Sequence, residues 1–101
     1  MQNAVYYVSF KLKKDADVEK FLLAAKKLND EFISKQPGYR SWKQLFDGER
    51  WADMVTFETM ADLKNFEQAS KTPSESALAF YSFINLPTCK THQFSVEKVY
   101  E

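Results

Sequence analysis

His92 is the one imidazole in this chain, and it is the only side chain whose unperturbed pKa lies near neutrality. It is therefore the first candidate for a general base able to take the proton of a phenol or enol. The competing reading is a surface or capping histidine at the start of the last strand. Trp42 and Trp51 form the second group with chemical potential. If Asp47-Gly48 makes a two-residue turn, Trp42 opposes Asp53 and Trp51 opposes Gln44 on one sheet face, beside Arg40 and Val55. Such a face could hold a planar aromatic ligand, but its mixture of rings and polar groups better suits a half-wet interface between two subunits. The other face would carry Tyr39, Ser41, Lys43, Leu45, Ala52 and Met54, whose small members would leave room for a cavity beneath a helix. Phe66, Phe80 and Tyr81 could line a pocket for an apolar substrate, with Tyr81 donating to its oxygen. Rings at helical spacing also read as plain core. Cys89 has only Lys90 nearby to activate it and reads as structural. With one histidine, one thiol and no carboxylates clustered at ligand spacing, no metal is expected.

These side chains need elements to position them, and the pattern supplies a clear order. Ala4 to Leu12 reads as a strand, and Asp15 or Asp17 can cap the helix that follows. Val18, Phe21, Leu22, Ala25, Leu28 and Phe32 recur at helical spacing, giving an amphipathic helix closed by Gln36-Pro37-Gly38. Tyr39 to Phe46 and Glu49 to Glu58 form a hairpin around Asp47-Gly48. Thr59 caps a second helix carrying Met60, Leu63 and Phe66, and Lys71-Thr72-Pro73 breaks it. Ser74 caps a further piece through Ile84, and a last strand runs from about Lys90 to Val99. The order β-α-β-β-α-β with a broken second helix is the ferredoxin-like split βαβ arrangement, an α+β fold in one domain over residues 1–101.

The first strand adds a constraint. Ala4-Val5-Tyr6-Tyr7-Val8-Ser9-Phe10 is apolar on both faces, whereas a small antiparallel sheet ordinarily leaves one face wet. Helices can cover one side only, so the other is expected to pack against a second copy as a sheet-on-sheet homodimer. Fourteen Lys plus Arg balance fourteen Asp plus Glu, which removes the electrostatic footprint of a nucleic-acid binder. Aromatic residues make up 16% of the chain, more ring surface than a core of this size needs, favouring an interface or a lined pocket for a small apolar or aromatic ligand. A single cysteine excludes an internal disulfide and suits a reducing cytosol. No basic segment followed by an apolar run opens the chain, and no stretch approaches eighteen apolar residues. A cytoplasmic protein without membrane contact is expected.

The element order, with Pro37-Gly38-Tyr39 at the start of the second strand and Phe57-Glu58-Thr59 at the end of the third, resembles the dimeric α+β barrel superfamily, in particular its antibiotic biosynthesis monooxygenase-like family. The resemblance spans Val5 to Val96. It implies two sheets packed face to face and a small-molecule cavity between each sheet and its helices. It also implies chemistry drawn from cofactor-independent oxygenases of phenols, quinol oxygenases or haem-degrading enzymes. Val8, Phe66 and the histidine-free segment Ser76 to Ile84 stand where the haem-degrading branch carries Asn, Trp and His, so no haem or other cofactor is expected. The resulting expectation is a cofactor-independent monooxygenase of a small aromatic or quinol-type substrate, with His92 as base and Trp42, Trp51, Phe66, Phe80 and Tyr81 around the ring. The alternatives are a non-catalytic binding or regulatory module and a structural dimer with a filled interior.

Overall fold

The computed structural model describes residues 2–101. Four strands, β1 (Ala4–Leu12), β2 (Tyr39–Phe46), β3 (Trp51–Phe57) and β4 (Ile84–Ser95), form one antiparallel sheet in the order β2-β3-β1-β4. Three helices, α1 (Val18–Glu31), α2 (Met60–Ala69) and α3 (Glu75–Tyr81), pack on one face of it. This is the expected ferredoxin-like α+β arrangement, with its second helical region in two pieces. Among the described residues no helix is long and apolar enough to cross a membrane.

The caps follow the local chemistry. Asp17, Thr59 and Ser74 each accept a hydrogen bond from the backbone N–H three residues on, and so start α1, α2 and α3. Asp15, the other candidate, instead takes a left-handed turn at φ 67°. Phe10, Phe21, Phe57 and Leu63 are fully buried at the centre of the core. Phe21 stacks on Phe80 with centroids 5.2 Å apart and meets Phe10 and Trp51 edge-on. These contacts tie α1, α3 and the sheet into one unit.

Three expectations are corrected. The β2–β3 connection is a four-residue turn, not a two-residue one: Phe46 pairs with Trp51, so Trp42 opposes Val55 and Gln44 opposes Asp53. The cause is the Asp47 carboxylate, which accepts hydrogen bonds from the Glu49 and Arg50 N–H groups at 2.8 and 2.7 Å and widens the turn. The register shift is two residues, which preserves the face of each side chain from Ser41 onward; beyond an irregularity at Arg40, Tyr39 pairs with Phe57 and packs against the core instead of sharing the face of Ser41. The two faces are exchanged relative to expectation. The Trp42, Asp53 and Val55 face lies under the helices, because Val55 and Phe57 belong to the core, while Ser41, Lys43 and Leu45 are on the open side. Finally, α3 ends at Tyr81 and β4 begins at Ile84 rather than Lys90, ending at Ser95 rather than Val99.

That early start of β4 carries a wide bulge. Ser9 pairs with Lys90 and Lys11 with Asn85, so residues 86–89 all stand opposite Phe10. Pro87 is tolerated there because it owes the ladder no N–H. Thr88 pins the bulge: its hydroxyl oxygen accepts from the Lys11 N–H at 2.8 Å and donates to the Asn85 carbonyl at 2.6 Å. Arg50 reaches across to donate to the Thr88 carbonyl at 2.8 Å and the Ser9 hydroxyl at 3.2 Å.

Gly38 is the tightest backbone position. Its φ is 77°, and a Cβ there would lie 2.1 Å from a carboxylate oxygen of Asp62, which accepts from the capping Thr59 hydroxyl. Gly38→Ala should therefore lose about 1–3 kcal/mol of stability. Urea denaturation checks this, and an unchanged midpoint would contradict it.

Candidate functional site

The sheet and helices do not close completely on each other. A cavity of about 180 Å³ remains between them, floored by Tyr6 and Val8 of β1 and by Asp53 and Val55 of β3, and roofed by Phe66, Phe80 and Tyr81. Trp42 closes it on the β2 side, and Leu86, Cys89 and Thr91 border it along β4. These last three are exposed, so the mouth lies at the edge strand, where the bulge holds Leu86 and Cys89 in place. The volume is close to the roughly 150 Å³ of an apolar protein cavity that takes up benzene.

The lining rings are fixed by one another. Tyr6 meets Phe66 edge-on at 5.5 Å, and Trp42 meets Phe80 edge-on at 5.6 Å. Four groups that can lose a proton line the space: Asp53, Tyr6, Tyr81 and Cys89. Burial raises the pKa of both tyrosines and of the Cys89 thiol, and a negative charge on Asp53 raises all three further.

Asp53 is the exceptional member. It is only 5% exposed, no Lys or Arg lines the cavity, and Arg50 is committed to Thr88 and Ser9. Desolvation pushes its carboxyl up to about 7, against the opposing pull of the Trp42 indole N–H and the Gln44 amide. That pull is weak in geometric terms. Gln44 Nε2 is 3.4 Å from Asp53 Oδ1, and the buried Trp42 Nε1 has no acceptor in good hydrogen-bond geometry. The cavity thus holds a carboxyl that is part neutral and part charged at pH 7, next to a donor with capacity to spare.

The sequence-derived candidates divide between the two faces. Trp42, Phe66, Phe80 and Tyr81 come together around the cavity. Trp51 lies on the same side of the sheet but outside the cavity, packed against Phe21 at 5.2 Å and stacked on Phe46 at 4.8 Å. His92 is on the opposite face, exposed, 5.8 Å from the Phe94 ring and 6.2 Å from Tyr7. The sheet itself separates His92 from the cavity. The physical reason is parity: β4 alternates, and Thr91 takes the inward place. Asp53 does not stand out by residue type, although the sequence carries a signal for it. Along Trp51, Asp53, Val55 and Phe57 it is the one polar residue in an inward-facing row that is otherwise bulky and apolar. Among the described residues no group of three or more His, Cys, Asp or Glu could hold a metal ion.

No protein-family model and no curated protein sequence matches the chain. Solved structures do. SnoaB, a cofactor-independent oxygenase from Streptomyces nogalater, superposes with a TM-score of 0.74 at 12% identity, over 98% of this chain and 97% of SnoaB. The ActVA-Orf6 monooxygenase of Streptomyces coelicolor, solved with nanaomycin D, gives 0.73 at 18% identity over 99% and 92%. A dimeric ferredoxin-like protein of unknown function from Bacteroides fragilis gives 0.59 at 17% identity over 93% and 96%. The fold is that of the antibiotic biosynthesis monooxygenases. At these identities the antibiotic biosynthesis monooxygenase fold is what the likeness establishes, as the sequence resemblance implied.

Asp53 makes stability depend on pH. From about 3.8, where a free carboxyl titrates, to about 7, the folded carboxyl keeps a proton that the unfolded chain releases. Stability therefore falls as pH rises through this window, by up to about 4 kcal/mol from this group. Asp53→Asn, which is neutral at every pH, should remove that fall and raise the melting temperature at pH 8. Equal pH slopes in the two proteins would contradict the assignment.

Proposed function

We propose that this protein is a cofactor-independent monooxygenase of small hydroxyaromatic substrates, with Asp53 as the general base. The observation that carries this reading is a desolvated carboxyl of pKa about 7 in the wall of an aromatic cavity. Burial makes Asp53 about as basic as an ordinary histidine, so the role expected of His92 passes to a residue inside the cavity. The magnitude matters. Moving a proton from a phenol of pKa about 10 to an ordinary aspartate is uphill by about 8 kcal/mol, and to a carboxyl near 7 by about 4 kcal/mol. The unpaired Trp42 N–H offers a donor to the phenolate oxygen as its charge develops.

The reaction balances without an external reductant. Asp53 takes the phenolic proton, and the electron-rich phenolate reduces dioxygen by one electron. The resulting radicals join to form a C–O bond at a ring carbon that bears hydrogen. Loss of that hydrogen as a proton and cleavage of the O–O bond leave a carbonyl on the ring and one molecule of water. The substrate supplies every electron. SnoaB and the ActVA-Orf6 protein, which share the fold, are described as a cofactor-independent oxygenase and a monooxygenase, which supports this reading. The non-catalytic alternative uses the same cavity, with neutral Asp53 donating to a bound ligand oxygen.

Oxygen consumption with a panel of single-ring phenols and hydroquinones tests the proposal. Wild-type protein should consume dioxygen. Asp53→Asn should lose at least about 100-fold in kcat, and His92→Ala should retain turnover. Phenol binding that raises the melting temperature with no oxygen uptake would favour the binding module.

The second sheet face supports a homodimer. Val5, Tyr7, Met54 and Phe94 lie together there through the β1 pairings with β3 and β4, with no helix over them, and Phe94 is 51% exposed. A second copy of the same face would cover these side chains. Phe94→Glu should shift the protein toward monomer in light scattering, and a wild-type monomer at micromolar concentration would contradict the dimer.

A further inference from the structure

Behind the main cavity, away from its mouth on β4, lies a second space of about 20 Å³. Leu28, Ile33, Phe66, Ser70 and Tyr81 border both spaces, so the small one continues the large one between the end of α1 and the start of α3. Phe32, Pro73 and Ala77 border only the small one. Ala77 is buried and Pro73 is exposed. The space therefore reaches from the cavity toward the surface beneath the loop that joins α2 to α3.

Its size and chemistry select the occupant. About 10–15 Å³ is enough to hold one water-sized molecule, but a buried water needs about two to four polar partners. Among the side chains, the Ser70 hydroxyl proton is already committed to the Phe66 carbonyl at 2.9 Å, and Tyr81 is the only other polar one. The remaining walls are aliphatic or aromatic. A small apolar molecule gains from such a space where water does not, as apolar protein cavities that stay dry and take up xenon illustrate. We propose that the pocket beneath Pro73, walled by Phe32, Ile33 and Ala77, is a dioxygen-binding antechamber that feeds the main cavity from the side opposite the substrate mouth. This assignment rests on the oxygenase reading for its biological use and on the pocket's shape and walls for its existence. It separates the routes of the two reactants. The aromatic ring enters past Leu86 and Cys89, and dioxygen waits where a ring cannot fit.

Methyl relaxation under dissolved dioxygen tests the site without turnover, because dioxygen is paramagnetic and speeds the relaxation of methyl groups it visits. In the wild-type protein without substrate, the Ala77 methyl and the Ile33 methyls should relax several-fold faster under dioxygen than those of Leu63, which is fully buried and borders neither space. Ala77→Leu should fill the pocket and lower the enhancement at Ile33, which borders both spaces, while leaving that at the Val55 methyls, which border only the main cavity, unchanged. Enhancement at Ala77 no larger than at Leu63 would overturn the proposal, whatever the variant does. Oxygen uptake by phenols without that enhancement would overturn the antechamber and leave the oxygenase reading intact. The enhancement without uptake by any phenol would uphold the dioxygen site and overturn the oxygenase reading.

Discussion

The chemistry proposed for this protein depends on the desolvation of one carboxyl. Asp53 sits in the centre of a sheet, facing helices, where an ordinary carboxylate would be expensive to keep charged. No cation offsets that cost inside the cavity, and the two polar side chains near it, Trp42 and Gln44, make long or poorly aligned approaches. The carboxyl responds by holding its proton to about pH 7. A cation beside it, or full access to water, would return it to the acidic range and remove its value as a base.

The layers of the fold create that environment and keep it open. α1 and α3 are locked to the sheet by the Phe21 and Phe80 rings, which sets the height of the roof above β3. Further packing could close the space, but Trp42 is held edge-on to Phe80 and Tyr6 edge-on to Phe66, so the walls cannot slide inward without breaking ring contacts. At the other side the β4 bulge, held by Thr88 and Arg50, keeps Leu86 and Cys89 at the mouth. The edge strand is where such an opening costs least, since a bulge there disturbs only one ladder.

Much of the fold is legible in the sequence because its signals are local. Asp17, Thr59 and Ser74 start helices in the structure as their types and positions imply, and Gly38 takes the left-handed turn after Pro37. The hairpin register is misread because Asp-Gly signals a turn without specifying its length, which here is decided by two hydrogen bonds to the Asp47 side chain. The start of β4 is misread because Ile84 falls at helical spacing from Phe80, yet it pairs with Leu12 across the chain, a nonlocal contact that periodicity does not encode. The site is legible in part. Trp42, Phe66, Phe80 and Tyr81 draw attention by their rings and their spacing, and they border the cavity, while His92 is drawn in by the pKa usual for its residue type. Asp53 is overlooked because its basicity belongs to its surroundings and not to its residue type.

Burial raises the Asp53 carboxyl from the usual acidic range to neutral pH. The direct measurement is the pH titration of its side-chain carboxyl carbon by NMR, in the wild-type protein without ligand. A midpoint near 7 is expected. A midpoint near 4, the value of an exposed aspartate, would contradict it and remove the basis for base catalysis in this cavity.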